Sequence, residues 1–276
     1  MKRYWDDMPW SARIGAIIVL INLFAALFGP WLAPYGEADV GGEVWAPFSA
    51  EHLLGTDQLG RDLFSRLLFG ARLTIGIALL VTLLSFSIGI GLGFTAALAG
   101  GWTDQLLSRG VDALMAIPTL IFALLVLSVL GTSIPVLVIV IAILDATRVF
   151  RLARALAINV GALDFVEVAK LRGEGLPWIM RHEILPNTTA PLIAEFGLRF
   201  CFVFLFISAL SFLGLGVQPP LADWGGMVRE NAQAINFGIA APLIPAAAIA
   251  IMTIGVNLVV DWMLGRQNLR ALEDVR

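Results

Sequence analysis

The chain has 276 residues, 59% of them hydrophobic and only 14% charged, with a mean hydropathy of +0.87. A soluble domain carries roughly 25% charged residues, so this composition excludes an ordinary water-dressed globule. The net charge of −3 says little; where the charges sit says more.

A bilayer core needs about 20 apolar residues per helix. Six runs qualify, at residues 12–33, 73–99, 113–130, 134–150, 190–217 and 237–264. The first is too long for a signal peptide and reaches Gly29-Pro30-Trp31 without a small-residue cleavage site, so it reads as a retained span. Residues 34–72 follow as a long connection. Its second half is predicted to be an amphipathic helix from Thr56-Asp57, because Leu59, Leu63, Phe64, Leu67 and Leu68 recur at helical spacing. Asp57 with Arg61 and Asp62 with Arg66 fall four apart, acid before base. Such a helix either lies on lipid headgroups or offers a platform to an external partner. Gly89, Gly91 and Gly93 in the second run read as close helix packing.

The third and fourth runs are separated only by Gly131-Thr132-Ser133, a tight turn between antiparallel helices. Pro118, like Pro245 in the last run, can kink its helix. Asp145 with Arg148, and Asp261 with Arg266, are expected near span ends, where snorkelling or helix pairing accounts for them. Glu195 and Arg199 share one face of the fifth run. They read first as a buried structural pair near the cytoplasmic side, and second as a contact to a solute in a translocation path. Cys201 lies inside an apolar run and reads as a packed hydrophobe rather than a disulfide or metal ligand.

Between the fourth and fifth runs, residues 164–187 form the one long charged, helix-patterned stretch. Asp164 suits an N-cap with Glu167 three residues later, and Lys170 and Arg172 complement the helix dipole in the last turn. Gly173 sits where a C-terminus wants a left-handed residue. Pro177 suits the start of a second helix, which Leu185-Pro186 is expected to break before the fifth span.

Lys and Arg are divided thirteen to four between the two sets of connecting segments, with Arg199 inside a span. The basic side is cytoplasmic by the positive-inside rule. The expectation is an all-α integral membrane protein of six spans with both termini in the cytoplasm.

Glu167-x-Ala169-x-x-x-Gly173 with Ile184-Leu185-Pro186 resembles the EAA loop of ABC importer permeases. Leu54-Gly55-Thr56-Asp57 through Gly60-Arg61-Asp62, Ser65-Arg66 and Gly70-Ala71-Arg72 resembles the C-type subunit of the dipeptide, oligopeptide and nickel permeases. Asp112 to Pro118, Phe212 to Gly216 and Trp224-Gly225 fit the same family, so the likeness covers nearly the whole chain. Val168 departs from the second alanine of the pattern, and Glu183 from a common isoleucine. The resemblance implies a type I ABC importer permease fold, with a core from about 70 to 264, a preceding unit at 1–69 and a tail at 265–276. It implies that Glu167, Ala169, Gly173, Leu185 and Pro186 couple to an ATPase. It further implies a homologous permease forming a heterodimer, two cytosolic ATPases carrying ATP and Mg, and an external solute-binding protein. Lipid is the surrounding partner, and nucleic acid is not expected.

The chain's two lysines, Lys2 and Lys170, lie outside any G-x-x-x-x-G-K-[ST] pattern, so no conventional P-loop is present. No enzymatic activity, resident cofactor or metal is therefore expected. An ion-driven secondary transporter would want several intramembrane carboxylates, whereas Glu195 is nearly alone. An intramembrane serine protease needs Ser and His together in the bilayer, but His52 and His182 fall in opposite aqueous segments. Peptide is the expected cargo, with nickel or another small solute as the alternative.

Overall fold

The computed structural model describes residues 8–273, with side chains as far as Arg266. Lys2, Arg3 and Arg276, which entered the charge count, lie outside the described residues. The described fold is helical. In chain order it comprises α1 (Trp10–Leu32), α2 (Leu63–Ala99), α3 (Gly101–Met115), α4 (Thr119–Leu130), α5 (Ile134–Gly161) and α6 (Asp164–Leu171). It continues through α7 (Leu176–Ile179), a π-turn (Met180–Ile184), α8 (Leu185–Phe212), α9 (Trp224–Glu230), a 3₁₀ turn (Ala232–Phe237) and α10 (Leu243–Glu273).

Four of these helices are long and apolar enough to cross a membrane, and five if the α3–α4 pair forms one bent span. They are α1, α2, the continuous α7–α8 helix and α10. The predicted third span is therefore not straight. α3 and α4 meet at 86° around Ala116-Ile117-Pro118, and α4 has only 12 residues. Pro118 lacks an N–H and drives the preceding residue away from helical geometry, so the apolar run bends there. At 1.5 Å per residue α4 is about 18 Å long, short of a 30 Å hydrocarbon core. α5 is not among the four, and Asp145, Arg148, Arg151 and Arg154 lie along it.

Other boundaries differ from expectation. α2 starts at Leu63, so the division at 69/70 falls inside a helix, and 264/265 likewise falls inside α10. No helix begins at Thr56. Residues 33–62 form an irregular connection tied by bridges Val40–Arg61 and Thr56–Asp62, and Asp62 caps α2 by accepting the Ser65 N–H at 2.7 Å. Leu185-Pro186 does not break the chain. Pro186 falls in the first turn of α8, where its missing N–H costs nothing intrahelical, and the π-turn carries α7 into α8. Residues 237–242 precede α10 rather than belonging to it, and Pro245 occupies its first turn, where it introduces no kink.

Two main apolar clusters hold the described bundle, with a third, minor one at Ala96, Val111 and Phe150. The larger joins α2, α4, α5, α8 and α9 through Ile75, Val81, Leu127, Ile141, Phe204 and Trp224. The smaller packs Phe94 of α2 and Val149 and Ala153 of α5 against Val166, Ala169, Ile179 and Ile184 of the polar loop. α2 and α5 approach closely because a Cβ at Gly89 would meet Val149 at 2.6 Å and one at Gly93 would meet the Phe150 carbonyl at 2.8 Å. Gly91 faces open space, so the packing pair is Gly89 and Gly93, four apart on one helix face.

Candidate functional site

The polar loop stands on a lever. α5 continues to Gly161, eleven residues past the end of its predicted span, and α6 follows after a two-residue turn. α6 is capped at its start by Leu163, with no side-chain bond. Asp164 is its first helical residue rather than its N-cap. Both acids, Asp164 and Glu167, still sit in the first turn, where they complement the dipole. The C-terminus closes as a Schellman motif: the Glu174 N–H reaches the Ala169 carbonyl at 3.2 Å and the Gly173 N–H the Lys170 carbonyl at 3.0 Å. Gly173 has φ +82° with no atom near its missing Cβ, so backbone conformation is what calls for glycine.

The faces of α6 divide its residues by task. Val166 and Ala169 are buried against the bundle, so Ala169 anchors the helix rather than meeting a partner. Phe165, Val168 and Leu171, at i, i+3 and i+6, are 39%, 53% and 82% exposed. This apolar stripe went unnoticed among the charges of the sequence. Its three-residue spacing is the signal that reveals it. Glu167, Leu185 and Pro186 are exposed beside or beyond it. Trp178 stacks on His182 at 4.6 Å and the Arg172 guanidinium lies 5.7 Å from the Trp178 ring, stiffening the second half of the loop.

A second constellation ties the α1–α2 connection to α9. Asp57, Arg61, Asp62 and Arg66 are buried, so they do not form the exposed helix expected there, either lying on lipid headgroups or serving as an external docking platform. Asp57 pairs with Arg61 at 2.6 Å and Arg66 at 2.5 Å, and Glu230 of α9 pairs with the same two guanidiniums at 2.7 and 2.9 Å. Arg66 thus reaches Asp57 and Glu230 instead of Asp62, whose carboxylate faces His52 at 3.0 Å. Asn231 accepts the Gln58 N–H at 3.0 Å and the Trp45 indole N–H at 3.3 Å. This is a clasp between distant segments, in which Asp57 and Glu230 answer Arg61 and Arg66.

Asp223 borders the same region and caps α9 by accepting the Gly226 N–H at 3.1 Å. Burial pushes its carboxyl up to about 6, against the pull of the Ser211 hydroxyl and the Gly226 and Gly225 amides. A folded-state value above the unfolded one means that the native state binds the extra proton. Stability therefore falls as pH rises from about 4 to about 6, by on the order of 3 kcal/mol. Asp223→Asn keeps the cap and removes the titration. Its thermal unfolding midpoint is expected to vary less between pH 4 and 6 and to exceed the parent's at pH 7. An unchanged pH profile would show that Asp223 is not the group responsible.

The third constellation lies among the long helices. Arg199 Nε is 2.9 Å from Glu195 Oε1, and Arg199 Nη1 is 3.6 Å from Asp145 Oδ1. Asp145 does not snorkel to a span end. It is buried and accepts the Ser85 hydroxyl of α2 at 3.0 Å, because α2 packs directly over it. Asp261 is exposed, and Arg266 lies 5.8 Å from the Trp262 ring. α3 is held to α5 by Arg154, whose Nε and Nη2 reach Asp104 at 2.5 and 2.6 Å.

The described fold is thus a bundle of helices of membrane-crossing length with a jointed polar loop on one end, a form that suits a transport permease. The profile of binding-protein-dependent transport system inner membrane components matches residues 89–272, two thirds of the chain. The dipeptide transport system permease protein DppC of Alkalihalophilus pseudofirmus is 35% identical over 254 residues, covering 91% of this chain and 83% of the relative. The di/tripeptide transport system permease protein DppC of Pseudomonas aeruginosa is 36% identical over 272 residues, covering 95% and 90%. The nickel transport system permease protein NikC of Escherichia coli K12 is 33% identical over 254 residues, 91% of each. The chain belongs to the family of binding-protein-dependent transport system inner membrane components, as an ABC importer permease of the dipeptide/nickel group and a multi-pass inner-membrane protein.

Proposed function

We propose that this chain is one of two homologous permease subunits that form the translocation path of a peptide importer. Two cytosolic ATPases, carrying the ATP and Mg that this chain does not bind, drive it, and an external solute-binding protein loads it. Peptide is favoured over nickel because two of the relatives above are peptide permeases, sharing 35% and 36% identity against 33% for the nickel permease. α5 is the sixth span in this reading, since its charged residues turn inward or lie beyond the apolar part. Both termini and the polar loop then face the cytoplasm.

The observation that carries the coupling role is the exposed stripe of Phe165, Val168 and Leu171 on a helix whose opposite face is fixed to the bundle. About two turns of helix with three apolar knobs suit a groove on an ATPase. Glu167 lies beside the stripe, Ala169 and Gly173 hold its shape, and Leu185 and Pro186 begin the helix that receives the motion. The α6–α7 joint, seated on α5 and α8, passes a push at the loop to two long helices.

The test is uptake of a labelled dipeptide into liposomes holding the complete complex. ATP should drive it, the isolated chain should hydrolyse no ATP, and changing Phe165 and Leu171 together to serine should lower uptake at least tenfold, about 1.4 kcal/mol or more of lost coupling. Full uptake by that double variant would remove the stripe from the mechanism. Solute accumulation by the chain alone under a proton gradient would replace the importer reading with an ion-driven one.

A further inference from the structure

Arg199 stands where a bilayer tolerates few charges. It lies thirteen residues from the Phe212 end of α8, and Asp145 lies eleven from the Ile134 end of α5. Those separations are about 20 and 17 Å of helix, just past the middle of a core roughly 30 Å thick. Two acids and two bases gather at this depth: Asp145 and Arg148 from α5, Glu195 and Arg199 from α8. Asp145 is sealed under α2, whereas the Glu195 and Arg199 side chains keep 23% and 18% exposure. An ionised group at that depth faces protein or water, not lipid tails. The open side of the cluster therefore looks onto a polar surface or an aqueous path.

The pairing inside the cluster is incomplete. Arg199 has five N–H donors in a rigid fork. Its contacts to Glu195 and Asp145 are close but not aligned, and its Nε and Nη1, together with Asp145 Oδ1, are buried without a hydrogen-bond partner. Arg148 brings a second guanidinium to the same place. Its Cζ lies 4.3 Å from the Phe202 ring centroid, and that of Arg199 lies 5.3 Å from it. A purely structural pair, like Arg66 with Asp57, would bury both partners. Here two cations are held on one ring, and the carboxylate nearest the open side belongs to the same helix as Arg199.

We propose that Arg199, supported by Arg148 and Phe202, is an anion-selecting subsite of the translocation path that takes a carboxylate of the transported solute. Glu195 holds the guanidinium at rest and yields it when the solute's carboxylate arrives. A planar fork matched to a carboxylate is what distinguishes arginine from lysine for this task. The proposal rests on the permease reading, but not on the solute being a peptide.

The experiment uses the complete transporter in liposomes, with cysteine-free partner subunits and Cys201→Ala in this chain. Glu195→Cys is then treated with an anionic and a cationic methanethiosulfonate, each rate corrected for its reaction with a free thiol. During ATP turnover the new thiol should be modified about tenfold faster by the anionic reagent, a ratio at the lower end of local charge focusing. Adding Arg199→Gln should abolish the preference. Absence of modification in every nucleotide state would mean that the face is packed against a neighbouring subunit, and equal rates would mean a wet but unselective surface. Either result overturns the proposal. If the preference is found but the unsubstituted transporter does not take up labelled Ala-Ala, the peptide assignment fails and the subsite stands.

Discussion

Asp57→Asn is expected to be the most destabilising conservative substitution in the chain. The carboxylate is fully buried and answers two guanidiniums at once, while its other oxygen accepts the Leu59 and Arg61 backbone N–H groups at 2.8 and 3.0 Å. Asparagine keeps the shape but leaves Arg61 and Arg66, both nearly inaccessible, to share the single charge of Glu230. Breaking a buried pair by removing one partner costs about 3–5 kcal/mol, because an uncompensated charge remains. For a chain of this size that corresponds to a thermal shift on the order of 10 °C. The double variant Asp57→Asn/Arg66→Met removes one charge of each sign and leaves Arg61 with Glu230. Its loss should be smaller than the sum of the two single losses. Thermal unfolding of the purified complex, with tryptic cleavage at Arg61 as a local probe, checks both statements. A shift of under about 2 °C for Asp57→Asn would mean that water already reaches the clasp and screens it.

The same clasp explains where sequence reasoning stopped. Leu59, Leu63 and Leu67 do recur at helical spacing, yet the helix begins only at Leu63. Gly55 and Gly60, both at positive φ, break the stretch before it, and Asp62 rather than Asp57 is the cap. Periodicity registers which residues are apolar but not that Arg61 and Arg66 meet Glu230 more than 160 residues away. The spans were legible where apolar runs are uninterrupted, as in α1 and α8. The run at 113–130 averaged over Pro118, so a broken helix looked continuous. Asp145 was misplaced for a related reason: its partner Ser85 sits on another helix, and only the close approach at Gly89 and Gly93 brings α2 over it. The polar loop was the most legible part, since its turn at Gly173 and the proline after it are local signals. Its exposed apolar face was not, because Phe165, Val168 and Leu171 are interleaved with charged residues.

Gly173→Val should abolish most transport while leaving the complex assembled, and Gly173→Asn should not. The space around Gly173 is open, so neither side chain collides with a neighbour. What differs is the backbone. At φ +82° a β-branched residue is strained by about 1–3 kcal/mol, whereas asparagine visits the left-handed region readily. Valine relaxes that strain by giving up the bonds from Gly173 to Lys170 and from Glu174 to Ala169, which end α6 and set its angle to α7. A penalty of about 1–3 kcal/mol lowers the population of the correctly shaped loop roughly 5- to 150-fold. In the coupling proposed above, the stripe on α6 would then meet an ATPase at a variable angle, and the push would no longer reach α5 and α8 in step. ATP-driven uptake by the reconstituted complex should fall at least tenfold for valine and stay within about twofold for asparagine, with the ATPase subunits still co-purifying in both. Equal losses in the two variants would point to the side chain rather than the turn, and full uptake with valine would mean that α6 does not transmit the stroke.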